Sequence, residues 1–300
     1  MKLAAIDIGS NAVRLQITKV IEYEGLITFK KLQFIRFPLR LGYDVFSTGL
    51  VSKKKAVDFL RLMRAFKTMI DLYEIDHYYG CATSAMREAE NGQEIVEKTK
   101  KELDLQIEII SGHKEAEMTN RIIGLFLENR PYLHIDVGGG STELNLYDQR
   151  KKIHSDSFQI GTVRNLKRGQ NNKAWANLTS WIDEHIHGMN RSIMAIGTGG
   201  NINKMYELVE KAKNRKASLD QLLKVRDFLK NLSLEERMMR LQLNPDRADV
   251  IIPASTIYLR IMEIAHAKHM LVPDVGLKDG INNYLFEKYY PKKGKLVIRN

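Results

Sequence analysis

The chain has 300 residues, 44% of them apolar, enough for two domains of ordinary size with substantial cores. No apolar run approaches the ~18 residues that span a bilayer, and the single cysteine, Cys81, excludes an internal disulfide and any thiolate metal centre. A formal net charge of +11 favours a polyanionic partner. No zinc-finger, RNA-recognition or helix-turn-helix signature points to specific nucleic-acid binding.

The basic residues gather at Lys53 to Lys55, Lys98 to Lys101, Arg164 to Lys173, Lys211 to Lys216 and Lys292 to Lys295, and each run taken singly reads as solvated surface. The opening MKLAAIDIG enters a strand at once and lacks a signal-peptide run, so a cytoplasmic chain is expected.

Residues 3–8 read as an apolar strand ending at Asp7-Ile8-Gly9-Ser10-Asn11, with a returning strand at 13–20 and a third at 27–37. Helical spacing of Val57, Leu60, Met63, Phe66 and Ile70 predicts a helix over 53–72. A strand at 77–82 leads into Ala82-Thr83-Ser84-Ala85-Met86-Arg87-Glu88-Ala89. Then come a helix at 92–103, a strand at 106–110, the pair Ser111-Gly112, and a helix from Lys114 to about Leu127. Pro131 follows, and the domain boundary is placed between Glu128 and Tyr132, giving domains 1–128 and 129–300.

The second half restarts with Leu133 to Leu146, LHIDVGGGSTELNL. A strand runs into Asp136, then Gly138, Gly139 and Gly140, then Ser141, Thr142 and a strand carrying Glu143. Glycines let backbone N–H groups close on an anion. Two carboxylates flanking such a loop suggest a divalent cation, Mg²⁺ or Mn²⁺. A plain hairpin turn is the alternative.

Beyond it lie an extended segment at 152–160, a helical region at 173–187, a strand at 192–196 and a third glycine stretch, Gly197-Thr198-Gly199-Gly200. That stretch is either a ligand loop or a tight strand-to-helix turn. Helices at 202–211, 218–229, 233–240 and 255–268, a short strand at 271–272 and a helix at 280–289 complete an α/β chain. His266 and His269, three apart on the expected helix, lack a third metal ligand and read as structural, as do His185 and His187. Cys81 reads as packing.

In this order and spacing, the stretches at Asp7, Ala82, Ser111-Gly112-x-x-Glu115-Ala116, Asp136 and Gly197, with Arg247 to Pro253 and Val275 to Gly280, resemble the exopolyphosphatase/guanosine pentaphosphate phosphatase (Ppx/GppA) family of the actin-like, sugar-kinase and heat-shock ATPase superfamily. The resemblance covers nearly the whole chain and suggests the short two-domain form. It implies two ribonuclease-H-like domains flanking an interdomain cleft. Asp7, Asp136 and Glu143 would serve the metal, and Ser10, Asn11, Arg87, Gly138, Gly139, Gly140 and Ser141 would hold phosphate. Glu115 would be the base that activates water, and Gly197, Gly199 and Gly200 would abut a nucleotide.

Where family members often carry Glu-Glu, this chain has Lys114-Glu115, so Lys114 is read as a further phosphate contact or an influence on Glu115. A homodimer is raised by family analogy alone.

The expected activity is Mg²⁺-assisted hydrolysis of the terminal phosphate of polyphosphate or guanosine pentaphosphate. The alternatives are an ATP-dependent small-molecule kinase and a non-catalytic polyphosphate or alarmone sensor. A pure binder has no need of Glu115.

Overall fold

The computed structural model describes residues 1–168, 171–189, 191–210, 214–290 and 295–296. Parts of three basic runs (169–170, 211–213, 292–294) and the last residue of the helix expected at 202–211 lie outside these residues. The chain divides into two compact units, Met1–Ile123 with the stretch from Gly276 onward, and Gly124–Val275.

The first unit opens with β1 (Lys2–Ile8), β2 (Val13–Tyr23), β3 (Leu26–Phe37), α1 (Leu41–Thr48) and α2 (Lys53–Leu72). It continues through β4 (His77–Ala82), α3 (Ser84–Glu88), α4 (Gly92–Leu103), β5 (Ile107–Ile109) and α5 (Gly112–Ile123). The sheet runs β3-β2-β1-β4-β5, antiparallel across β3-β2-β1 and parallel across β1-β4-β5. As the central strand, β1 has both faces covered, which is why LAAIDI is buried throughout instead of alternating.

In α2, capped by the Ser52 side chain on Lys55 N, the buried stripe is Phe59, Met63, Phe66 and Ile70. Val57, expected on that face, is exposed. The sequence reading has no helix at α1, which is short and presents only Leu41, Val45 and Phe46 as buried apolar anchors beside Gly42.

The second unit holds β6 (Tyr132–Val137), β7 (Thr142–Asp148), β8 (Lys151–Phe158), α6 (Thr162–Arg168), α7 (Asn172–His185), β9 (Met194–Thr198) and α8 (Gly200–Glu207). There follow β10 (Lys216–Ser218), α9 (Leu219–Asn231), α10 (Leu234–Arg240), α11 (Pro245–Ala248), α12 (Ile251–Ile264) and β11 (His269–Leu271). Its sheet, β8-β7-β6-β9-β11-β10, repeats the strand order and the antiparallel-to-parallel pattern of the first and adds β10 at the far edge.

Helix α12 starts four residues before the expected 255 and stops at Ile264. Pro253 is tolerated because it falls in the first turn, where its N–H has no partner to lose. His266 takes a left-handed φ of 52° past the helix end, so His269 belongs to β11 and the two histidines share no helix.

The chain then returns to the first unit as α13 (Leu277–Tyr289) and β12 (Lys295–Leu296), which pairs with β3. Helix α13 packs on α5, with Gly280 so close that a Cβ there would lie 2.1 Å from Met118 O. Among the described residues no helix is long and apolar enough to cross a membrane.

Candidate functional site

In the first unit the candidate groups cluster where β1 and β4 end. Asp7 faces Arg14 across the β1–β2 ladder, and their ion pair is 2.8 Å. This partner was not anticipated from the sequence. The tight turn after β1, closed by Gly9 N to Ala12 O at 3.1 Å, presents Ser10, whose hydroxyl meets that of Ser84 at 2.8 Å. The backbone carbonyls of Ser10 and Asn11 accept from Gly42 and Arg40, so α1 braces this turn from below.

Arg87 lies in the last turn of α3, its guanidinium donating to Ile110 O at 2.8 Å. The same Nη1 lies 3.8 Å from Glu115, which stands in the first turn of α5. The fold thus brings Arg87 and Glu115 together across 28 residues of sequence. Lys114 turns elsewhere, to the Glu108 carboxylate at 2.7 Å and 2.8 Å. Partial burial pushes the Glu108 carboxyl up, but the hydrogen bonds from Lys114 and Tyr79 outweigh it and hold it below its ordinary range. Lys114 is therefore committed to β5.

In the second unit, β6 and β7 form the expected hairpin, with Asp136 directly opposite Glu143. Directly opposed residues of an antiparallel pair share a face, with Cβ atoms about 5 Å apart. Glu143 Oε1 accepts from the Ser141 hydroxyl at 2.6 Å and the Ser157 hydroxyl at 3.0 Å.

The glycine loop is fastened by its carbonyls. Gly138 O accepts from Thr162 N at 3.0 Å, and Gly139 O from Val163 N and Arg164 N at 2.9 Å each. Gly140 O accepts from Arg164 Nε at 2.6 Å. Among the described residues no peptide bond is cis, and in a trans peptide the N–H points opposite to the C=O of the same plane. The amides of Gly139, Gly140 and Ser141 therefore point away from α6, three successive donors on one side. Such a run forms an anion-binding concavity.

The third glycine stretch runs from the end of β9 into the start of α8. Gly197 is in β9, Gly199 caps α8 with φ 108°, and a Cβ on Gly200 would lie 3.2 Å from Arg247 Nη2.

The profile of the Ppx/GppA phosphatase family matches residues 20–288. This chain belongs to the Ppx/GppA phosphatase family. The Aquifex aeolicus Ppx/GppA crystal structure is 25% identical with a TM-score of 0.75, covering 97% of this chain and 99% of that one. An exopolyphosphatase structure from Cytophaga hutchinsonii shares the fold, with TM-score 0.82 at 22% identity over 98% of this chain and 100% of its own. The bifunctional 3-dehydroquinate synthase/phosphatase of Fusobacterium nucleatum is 29% identical over 289 residues, 87% of this chain. The chain spans only 43% of that relative's length.

Three residues of this Ppx/GppA protein escaped the sequence reading because their partners are remote in sequence. Arg164, read as part of a solvated basic run, is buried and holds the glycine loop. Tyr258, fully buried on α12, accepts from Val137 N at 3.2 Å and donates to Thr198 O, tying the strand that carries Asp136 to β9. Burial, then the Asp136 charge, pushes its phenol far above its ordinary range.

His134 is fully buried, with Asn145 Nδ2 donating to Nδ1 at 3.1 Å and Nε2 meeting Thr198 Oγ1 at 2.9 Å. Burial lowers its pKa to about 3 from an ordinary 6.5. The unfolded chain therefore binds a proton below pH 6.5 that the folded chain refuses, and stability falls as pH drops from there toward 3. His134→Gln, which cannot titrate, is expected to flatten urea-unfolding stability against pH by up to about 1.4 kcal/mol per pH unit in that window. An unchanged slope would show that His134 does not carry it.

Proposed function

We propose that the chain is a phosphoanhydride hydrolase releasing terminal phosphate from inorganic polyphosphate or guanosine pentaphosphate. The observation that carries this reading is the Arg87–Glu115 pair, a carboxylate at a helix start beside a guanidinium anchored on a backbone carbonyl. Glu115 accepts a proton from water, and the water oxygen bonds to the terminal phosphorus. The bridging P–O bond breaks, and the shortened chain leaves as the oxyanion.

Arg87, with its forked donors, offsets charge on the transferring phosphoryl. In the first unit Ser10 and Asn11 bind phosphate oxygens; taken by itself, the second unit offers the Gly139, Gly140 and Ser141 amides for the same chemistry. The glycine loop contributes only backbone, since the Ser141 hydroxyl is engaged by Glu143.

Among the described residues no group of three or more His, Cys, Asp or Glu side chains is placed to hold a metal. Asp136 and Glu143, two carboxylates on one face, nevertheless fit Mg²⁺ or Mn²⁺. Mg²⁺ commonly takes one or two protein carboxylates and completes its shell with water and phosphate. In the first unit Asp7, whose Oδ2 accepts from Arg14, would by itself serve to orient metal-bound water. A bound cation would supply charge neutralisation on phosphate oxygens.

The test is phosphate release with Mg²⁺ from long polyphosphate, tripolyphosphate, guanosine pentaphosphate and ATP. No release from any of them would sink the hydrolase reading. Arg87→Ala is expected to raise KM about tenfold or more, the worth of one lost charge-assisted hydrogen bond. An unchanged KM in steady-state kinetics would remove Arg87 from the phosphate contacts.

A further inference from the structure

Two kinds of donor hold the glycine loop of the second unit. Gly138 O and Gly139 O take backbone amides from the first turn of α6, whereas Gly140 O takes the Nε of Arg164 at 2.6 Å. Arg164 is 4% exposed. On the loop's other side, the N–H groups of Gly139, Gly140 and Ser141 meet no acceptor among the described residues, although Gly140 and Ser141 are buried. Buried amides without a partner are rare in a native fold.

The place of Arg164 in the chain runs against local preference. It stands in the first turn of α6, where the helix dipole disfavours a cation. Helix stability therefore does not explain a buried guanidinium at this position. A local rule broken in this way marks a functional site.

The peptide plane supplies the link to the ligand. Gly140 C=O and Ser141 N–H belong to one planar peptide. A hydrogen bond onto the oxygen polarises that peptide and strengthens its N–H as a donor. A cationic donor does so more than a neutral amide, and burial keeps salt from screening the charge. Among the described residues, Ser141 N–H is the one loop amide backed by a side-chain cation on its own carbonyl partner.

We propose that Arg164 is a positioning residue whose charge acts through the Gly140–Ser141 peptide on a phosphate oxygen bound at the Ser141 N–H. It orients and polarises the donor and does not itself touch the phosphate. This rests on the phosphate-binding reading of the loop given above.

The test reads binding of inorganic tripolyphosphate by calorimetry, so it stands whether or not the chain turns the substrate over. Arg164→Ala should bind about tenfold or more weakly, the worth of a hydrogen bond to a charged group. Ethylguanidinium, which replaces the lost side chain, should restore most of that affinity relative to the parent in the same solution. Ethylurea, equally planar and an N–H donor but uncharged, should raise the melting temperature without restoring the affinity. Equal rescue by the two would reduce Arg164 to packing and overturn the proposal, as would an Arg164→Ala protein that binds like the parent.

If Arg164→Ala does not fold, or neither additive rescues it, Arg164→Lys and Arg164→Gln decide. Lys keeps the charge and should bind the more tightly; equal affinities overturn the proposal. A parent that binds no tripolyphosphate removes the phosphate reading of the loop, and the proposal with it.

Discussion

Glu115→Gln is expected to fold as the parent does and to release phosphate about a thousandfold more slowly, within the range general-base catalysis contributes. The amide keeps the shape of the carboxylate in the first turn of α5 but cannot accept the proton. Loss of the Arg87 ion pair, 3.8 Å long between partly exposed groups, should cost little stability. Phosphate-release rates measured beside thermal melts separate the two effects. A variant that keeps its melting temperature and turns over within tenfold of the parent would remove Glu115 as the base. A variant that still binds the phosphate chain but no longer cleaves it would support the assignment.

Gly161→Ala should displace the Gly138–Gly140 loop. A Cβ at position 161 would lie 2.4 Å from Gly139 O and 2.4 Å from Gly140 C, backbone atoms that cannot rotate away. Relief requires the loop to leave the start of α6, giving up the bonds from Thr162, Val163 and Arg164 that orient its amides. Overpacking of this kind typically costs about 1–3 kcal/mol, and a misplacement near 1 Å can cost about a hundredfold in rate. The expected result is a lowered melting temperature with a hundredfold or greater fall in kcat/KM. Gly188→Ala, where a Cβ meets nothing within 4 Å, serves as the control. Parent-like kinetics in Gly161→Ala would mean that the loop's anchoring to α6 is unimportant for turnover.

The strand–loop–strand stretches at Asp7 and Asp136 were legible because their information is local. An apolar strand, a glycine-rich turn and a returning strand are encoded within about a dozen consecutive residues, and the Asp136–Glu143 pairing follows from hairpin register. Helix α1 and the helical form of Thr162–Arg168 were not legible, since short helices with few apolar anchors owe their stability to packing more than to periodicity. Lys114 shows the same limit at one residue. Its place beside Glu115 in the chain suggests a shared task, yet helix geometry sends adjacent side chains in different directions, and the Glu108 carboxylate captures it.

From sequence alone came the α/β class, the repeated strand grammar, the order of the motifs and the family they resemble. All of these rest on residue types at short fixed spacings. Tertiary structure alone decided that α13 returns to pack against α5 in the first unit, that Arg87 meets Glu115, and that the Arg164 and Tyr258 side chains hold the loop and strand around Asp136. Each of those contacts joins residues far apart in the chain. Chain spacing does not determine which distant groups burial and hydrogen bonding will bring together.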